Sequence, residues 1–296
     1  CYHDAIVVAA EKHAGPQLVA KLDEAAEAML PGLTDADAWP VARSHLLVIS
    51  AEDVNPFSAL RYAVNVDSLT DAQDPAAVID HRLDTISLQS SSRERPLPWL
   101  PGVPVRIVEP EWRDYLAARH QLVTRLAEQV RQTAERSETV PMWARAIGEP
   151  PAAGAIAQIE LWRAAHNTPD TDLTPTGPMQ HHLIEARAQH RLDGLIAGES
   201  EPVLNWLSRI HDAFPATIED PTTIRLAREC ADVDPSGAWL PRHVEHEART
   251  PLPDDHKADA LRYRLEPWLN RVWETWPRQE AYLVHHRHEP PSLGDH

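Results

Sequence analysis

Proline placement constrains this chain more than any other feature. There are 27 prolines against 10 glycines in 296 residues. A proline fixes its own φ and lacks a backbone donor, so it breaks a helix interior but suits the first helical turn, where the amide has no intrahelical acceptor. Asn55-Pro56, Asp74-Pro75 and Asp220-Pro221 each set a capping side chain directly before such a proline, and each dipeptide predicts a helix start. Thr176-Gly177-Pro178 is a looser version of the same signal.

Between these starts the apolar residues recur at helical spacing. The spacing predicts helices over 4–14, 16–30, 35–50, 56–66, 75–83, 110–136, 152–166, 178–197, 201–213, 221–231 and 255–276. The last contains Pro267 and is kinked there or split in two. In 110–136, Trp112, Tyr115, Leu116, Leu122, Val123, Leu126 and Val130 form one stripe, with Arg113, Arg125, Glu128 and Arg131 largely off it. Alternating patterns are scarce, and only short runs such as Val103 to Val108 suit an extended conformation. Residues 84–109 read as a connection: a mobile loop first, then a Leu-Pro-Trp-Leu-Pro segment (97–101) whose apolar residues anchor it. The prolines of 137–153 mark a domain boundary. The expected fold is therefore all-α and multi-helix, with two packed helical subdomains, 1–140 and 150–296.

Composition narrows the function. Hydrophobic residues make up 43% of the chain, and ten tryptophans need packing partners, so the chain can bury a substantial core. No apolar run approaches the ~20 residues that span a bilayer, and no basic segment leads into an apolar one as in a secretory signal. Membrane insertion is not expected, and a cytoplasmic location is. Two cysteines, Cys1 and Cys230, exclude a multi-cysteine zinc site. The first residue, Cys1, is not methionine, and the chain reads as a fragment of a longer protein. A net charge of −17 opposes phosphate backbones, so DNA binding is expected to be weak or absent. The arginines at 106, 113, 119, 125 and 131 could still line a basic face, which leaves a helical DNA-contacting domain as one alternative.

Residues 159–178 carry a Trp-Arg-Ala-Ala helix end at Trp162–Ala165, followed by Asp172-Leu173-Thr174-Pro175-Thr176-Gly177-Pro178. This segment resembles the C-terminal region of actinobacterial conjugative relaxases of the TrwC/TraI (MobF) type. Pro31–Asp35 with Trp39-Pro40, and Pro98–Pro101 with Tyr115–Arg119, resemble the same region. The likeness covers roughly residues 3–190. It implies a large parent in which a relaxase and a helicase precede an accessory or recruiting C-terminal region. The chain has no Gly-x-x-x-x-Gly-Lys-Ser/Thr loop and no tyrosine beside a histidine triad, so the family's catalytic residues map to no position here. Trp162, Arg163, Asp172, Thr176 and Gly177 read as a structural helix–loop–helix device, with Asn167 ending one helix and Thr176 capping the next.

Other constellations compete as chemistry. His243 and His246 lie three apart, with Glu247 following, and a metal-dependent hydrolase using these three is a second alternative. The spacing differs from the zincin pattern, in which the histidines are four apart. His285, His286 and His288 form a polar tail, and His181, His182, Glu185 and His190 fall on a polar helix expected to be mostly solvated. Acidic neighbours should raise the Cys230 thiol's pKa and make it inert. Trp268, Trp273 and Trp276, with Leu265, Leu269 and Val272, give the last helix a broad apolar face, as core or as a partner-binding surface. The sequence reading is thus an accessory or recruiting module, without cofactor or catalytic residues of its own, that binds neighbouring domains or conjugation proteins during plasmid transfer.

Overall fold

A computed structural model describes residues 2–66, 68–69, 72–90, 94–180, 182–253 and 255–270. The fold is all-α, and no strand occurs among the described residues. The chain divides into two compact units, Cys1–Gly198 and Glu199–His296.

The first unit begins with α1 (Tyr2–Met29), which bends where Gly15 takes φ 71° and ψ 167° before Pro16. The two helices expected at 4–14 and 16–30 are the arms of this element. There follow α2 (Trp39–Ala51), α3 (Pro56–Asn65), α4 (Pro75–Ser90), α5 (Pro110–Arg136), α6 (Met142–Ala146), α7 (Ala153–Ala165) and α8 (Leu183–Ile196). Ile6, Leu22, Leu46, Ile49, Leu60, Ile79 and Leu83 fill one core among α1–α4. A second cluster joins Trp99, Ala127, Trp143, Ile159, Trp162 and Leu192. Leu97 and Trp99 are buried in it, as the apolar residues of their proline-rich segment suggested.

The second unit contains α9 (Glu201–Ala213), α10 (Thr223–Val233), α11 (Pro241–Glu247) and a helix over 257–270, α12. Trp206, Leu207, Ile210, Leu226, Cys230, Leu240, Leu261 and Leu265 form its core.

The caps at Asn55 and Asp74 act as predicted, whereas the helix expected from Pro221 begins only at Thr223 and takes no side-chain cap; the aspartates also reach further. Asn55 Oδ1 accepts from the amides of Phe57 and Ser58 at 3.0 and 3.1 Å. Asp74 Oδ1 accepts from Ala76 and Ala77, while its Oδ2 accepts from the Ala38 amide just before α2. Asp220 divides its oxygens in the same way, one to Thr222 and the other to the Ala258 amide in the first turn of α12. One carboxylate thus fixes two chain segments, and both its oxygens find donors.

Several expectations need correction. Residues 84–90 continue α4 rather than forming a loop. The 137–153 stretch lies inside the first unit, where α5 and α7 pack together across it, and the division falls at Gly198/Glu199 instead. Helix α8 starts at Leu183, not near 178, and Thr176 does not cap it. The Thr176 hydroxyl donates to Asp193 Oδ1 at 2.8 Å, and the first amide of α8 is capped from α4, by Asp84 Oδ2 at 3.0 Å.

The Trp162–Pro178 segment is a lock built on one arginine. Arg163 is buried, and its guanidinium donates to four loop carbonyls: Thr174 at 2.7 Å, Pro175 at 3.2 Å, Pro169 at 2.8 Å and Asp172 at 2.9 Å. Trp162 Nε1 donates to the Thr176 carbonyl at 2.8 Å. Asn167 sits at φ 52° and ends α7 in the left-handed region. Gly177 has φ +71°, and a Cβ there would lie 3.0 Å from Thr168 Oγ1, so the glycine is required. Arg163→Ala should strip the loop carbonyls of their donor and destabilise the unit by roughly 3 kcal/mol or more. Arg163→Lys should recover only part of that, because one ammonium cannot match a planar fork. Urea unfolding measures both, and a loss below about 1 kcal/mol for Arg163→Ala would contradict the lock.

Candidate functional site

Helix α5 is apolar over more of its surface than its neighbours cover. Leu116 and Ala127 are buried, and Trp112, Val123 and Val130 partly so. Tyr115, Leu122 and Leu126 of the expected stripe stay exposed, at 42%, 37% and 49%. These three follow one line along the helix, and Arg119 completes it at spacings of four, three and four. Their spacing groups them with Leu116, but the fold separates them, because the covering helices lie about a quarter-turn away.

One end of this line opens into a groove of about 430 Å³ between α1 and α5. Ala5 and Val8 of α1 face Trp112 and Tyr115 of α5, with Asp4 and Glu111 as the acidic rim. The Trp112 and Tyr115 rings meet edge to face, with centroids 5.9 Å apart and planes at 85°. The Arg119 guanidinium lies 5.0 Å from the Tyr115 ring centre, a cation–π contact that holds the arginine along the helix. This surface, apolar with a charged rim, has the anatomy of a docking site.

The basic face proposed for DNA does not assemble as a free stripe. Arg106 is engaged by Asp53, Arg131 pairs with Glu128 at 3.0 Å, and Arg119 lies on Tyr115.

The histidine-rich helix start is not simply solvated. His182, at the N-terminus of α8, faces buried Asp84 at 3.7 Å, and Glu185 faces His166 at 3.7 Å. His45 and Asp80 pair nearby at 3.0 Å. His166 stacks on Trp162, with centroids 3.9 Å apart, which links these ion pairs to the Arg163 lock. The adjacent Asp84 carboxylate raises the His182 pKa to about 9 against the opposing effect of partial burial, and the charges of Glu185 and Asp80 add to the rise. Burial would raise the Asp84 pKa, but His182, His45 and the Leu183 amide hold it below the usual range.

In the second unit the ring of His243 stacks on Trp268, with centroids 3.6 Å apart and planes at 19°, and meets Trp239 edge-on. His243 therefore serves packing. His246 and Glu247 do not join it as a ligand set, and no group of three or more His, Cys, Asp or Glu able to hold a metal occurs among the described residues. Trp268 is partly buried against the core, while Trp273 and Trp276 lie outside the described residues. Cys230 is buried, and burial, with Glu229 and Asp234, pushes its thiol up to about 12. It is not a nucleophile at neutral pH. No helix among the described residues is long and apolar enough to cross a membrane.

Comparison with family models, with curated proteins and with solved structures gives no match.

The His182–Asp84 pair makes a pH prediction. An unfolded histidine titrates near ~6.5, whereas folded His182 titrates at about 9. Its contribution is complete below the unfolded value and drains away as the pH rises through the folded one. The stability difference between the natural chain and His182→Gln should therefore be largest near pH 6 and shrink steadily toward pH 9 and above. Thermal melts across that range measure it, and a difference that grows with pH would refute the assignment.

Proposed function

We propose that this chain is a non-catalytic docking module, and that its parent is a conjugative relaxase-type protein working in the cytoplasm. The observation that carries the docking reading is the exposed line Tyr115–Leu122–Leu126, continuous with the α1–α5 groove. A helix face of this kind contributes little to the fold that displays it, and it suits a second surface that excludes water from it. The relaxase parent rests on the resemblance of the Trp162–Pro178 segment and its two companion segments. The structural work of Trp162, Arg163 and Gly177 agrees with reading that segment as architecture rather than chemistry. The role is to hold neighbouring domains or conjugation proteins together while DNA is processed elsewhere in the assembly.

The test uses the double variant Leu122→Asp, Leu126→Asp, placed in the natural gene of a host that transfers the plasmid. Both positions are exposed, so stability should change by no more than about 0.5 kcal/mol per site. Plasmid transfer should fall at least about tenfold, as it does when the centre of an interface is disrupted. Undiminished transfer with a folded variant would reject the conjugative docking role.

A further inference from the structure

We propose that a second copy of this chain covers the exposed line of α5, with the two α5 helices packed antiparallel. The inference rests on the docking reading above and names its occupant.

The spacing of the line is that of a seam between two helices. Tyr115, Arg119, Leu122 and Leu126 alternate steps of four and three, the pattern that keeps one face turned toward a single neighbouring helix. Helix α5 has 27 residues, so it extends roughly 40 Å at 1.5 Å per residue and offers the seam about three turns.

Charge selects the direction. Glu111 and Asp114 lie toward the N-terminal end of the seam, and Arg125 toward its C-terminal end on the same flank as Asp114. Asp114 is 79% exposed, and its nearest cation is Arg113 at 3.9 Å, so it remains open to another partner. A parallel copy would set Arg119 against Arg119 and Arg125 against Arg125. An antiparallel copy with Tyr115 level with Leu126 of the second copy avoids both clashes. It places Leu122 beside the aliphatic stem of the other Arg119, whose charge already rests on Tyr115. It also brings Arg125 within side-chain reach of the other Asp114, twice by symmetry.

The neighbours of α5 leave room for this arrangement. Helix α1 runs beside only the first part of α5, from His13 on Glu109 (3.0 Å) to Tyr2 near His120 (3.5 Å). It lies on the buried side with Leu116, about a quarter-turn from the seam. In the antiparallel register the two α1 helices follow one another along the pair.

The experiment is sedimentation equilibrium of the full 296-residue chain over a wide concentration range. The expected result is a reversible monomer–dimer equilibrium. Leu122→Asp should weaken dimerisation at least about tenfold with the circular dichroism and melting temperature unchanged. Arg125→Asp and Asp114→Arg should each weaken it, and the double variant Asp114→Arg, Arg125→Asp should restore it to within about threefold of the natural chain. A chain that stays monomeric at every concentration overturns the inference, as does a dimer indifferent to Leu122→Asp or a charge swap that fails to restore association. These outcomes are separate from the transfer assay. A monomer whose transfer still depends on Leu122 and Leu126 keeps the docking role and loses the second copy. A dimer whose transfer is indifferent to them does the reverse.

Discussion

The first unit depends on the guanidinium of Arg163. A buried charge is tolerated only when its donors are satisfied, and here four carbonyls of the 169–175 loop supply the acceptors. The loop has no regular structure, so its carbonyls equally need donors. Each side solves the problem of the other. With that loop fixed, Thr176 presents its carbonyl to Trp162 and its hydroxyl to Asp193, and Gln189 of α8 bonds the backbone of Pro178 and Gln180. Helix α8 is thereby set against the loop, and its first amide reaches Asp84. The polar pairs around His182, Glu185 and His166 then follow from where α8 begins.

The second unit meets the same requirement with a different residue. Trp206 Nε1 donates to the Asp234 carbonyl at 2.7 Å, as Trp162 does to Thr176. The Asp234 carboxylate accepts from the amides of Ala238, Trp239 and Leu240 and from Ser236. Burial opposes its ionisation, but these donors hold the carboxyl below its usual range. Left-handed residues follow several helix ends, among them Asp53, Gly148, Asn167 and Gly198, and at several helix starts the turn geometry is enforced by side chains. Asp74, Asp84, Asp220 and Asp234 all work this way. Part of the chain's acidity is therefore architectural, since a carboxylate at a helix start meets unpaired amides and a favourable dipole.

These devices explain what the sequence disclosed. Asn55 and Asp74 were legible because cap and proline are adjacent in the chain, and the break in α1 because Gly15-Pro16 is. The bonds of Asp74 to Ala38, Asp84 to Leu183 and Asp220 to Ala258 were not, since the partners lie 36, 99 and 38 residues apart. The late start of α8 has the same origin: Thr176 looked like a cap, but its hydroxyl is taken by Asp193. His243 resembled a metal ligand from its spacing to His246, and nothing local announced that Trp268 would stack on it. The candidate site was half legible. Periodicity found the α5 stripe, but it could not divide Leu116 from Tyr115, because which side of a helix is covered depends on elements far along the chain.

That division is also what makes α5 informative. Its buried side, through Leu116, Val123 and Ala127, secures it to the unit, and most helix stability in a protein comes from such packing rather than from propensity. The line a quarter-turn away therefore carries apolar side chains that the fold does not require. Single exposed leucines are ordinary on protein surfaces. An aligned tyrosine and two leucines, joined to a groove and threaded by an arginine held against the tyrosine ring, are not a scatter. The arginine is the telling member, because it would weaken a purely hydrophobic seam. Its stem can cover a leucine while its charge remains on an aromatic face, and like charges exclude the parallel alignment. A surface that combines attraction along the seam with repulsion in one direction is suited to one geometry of association rather than to indiscriminate sticking.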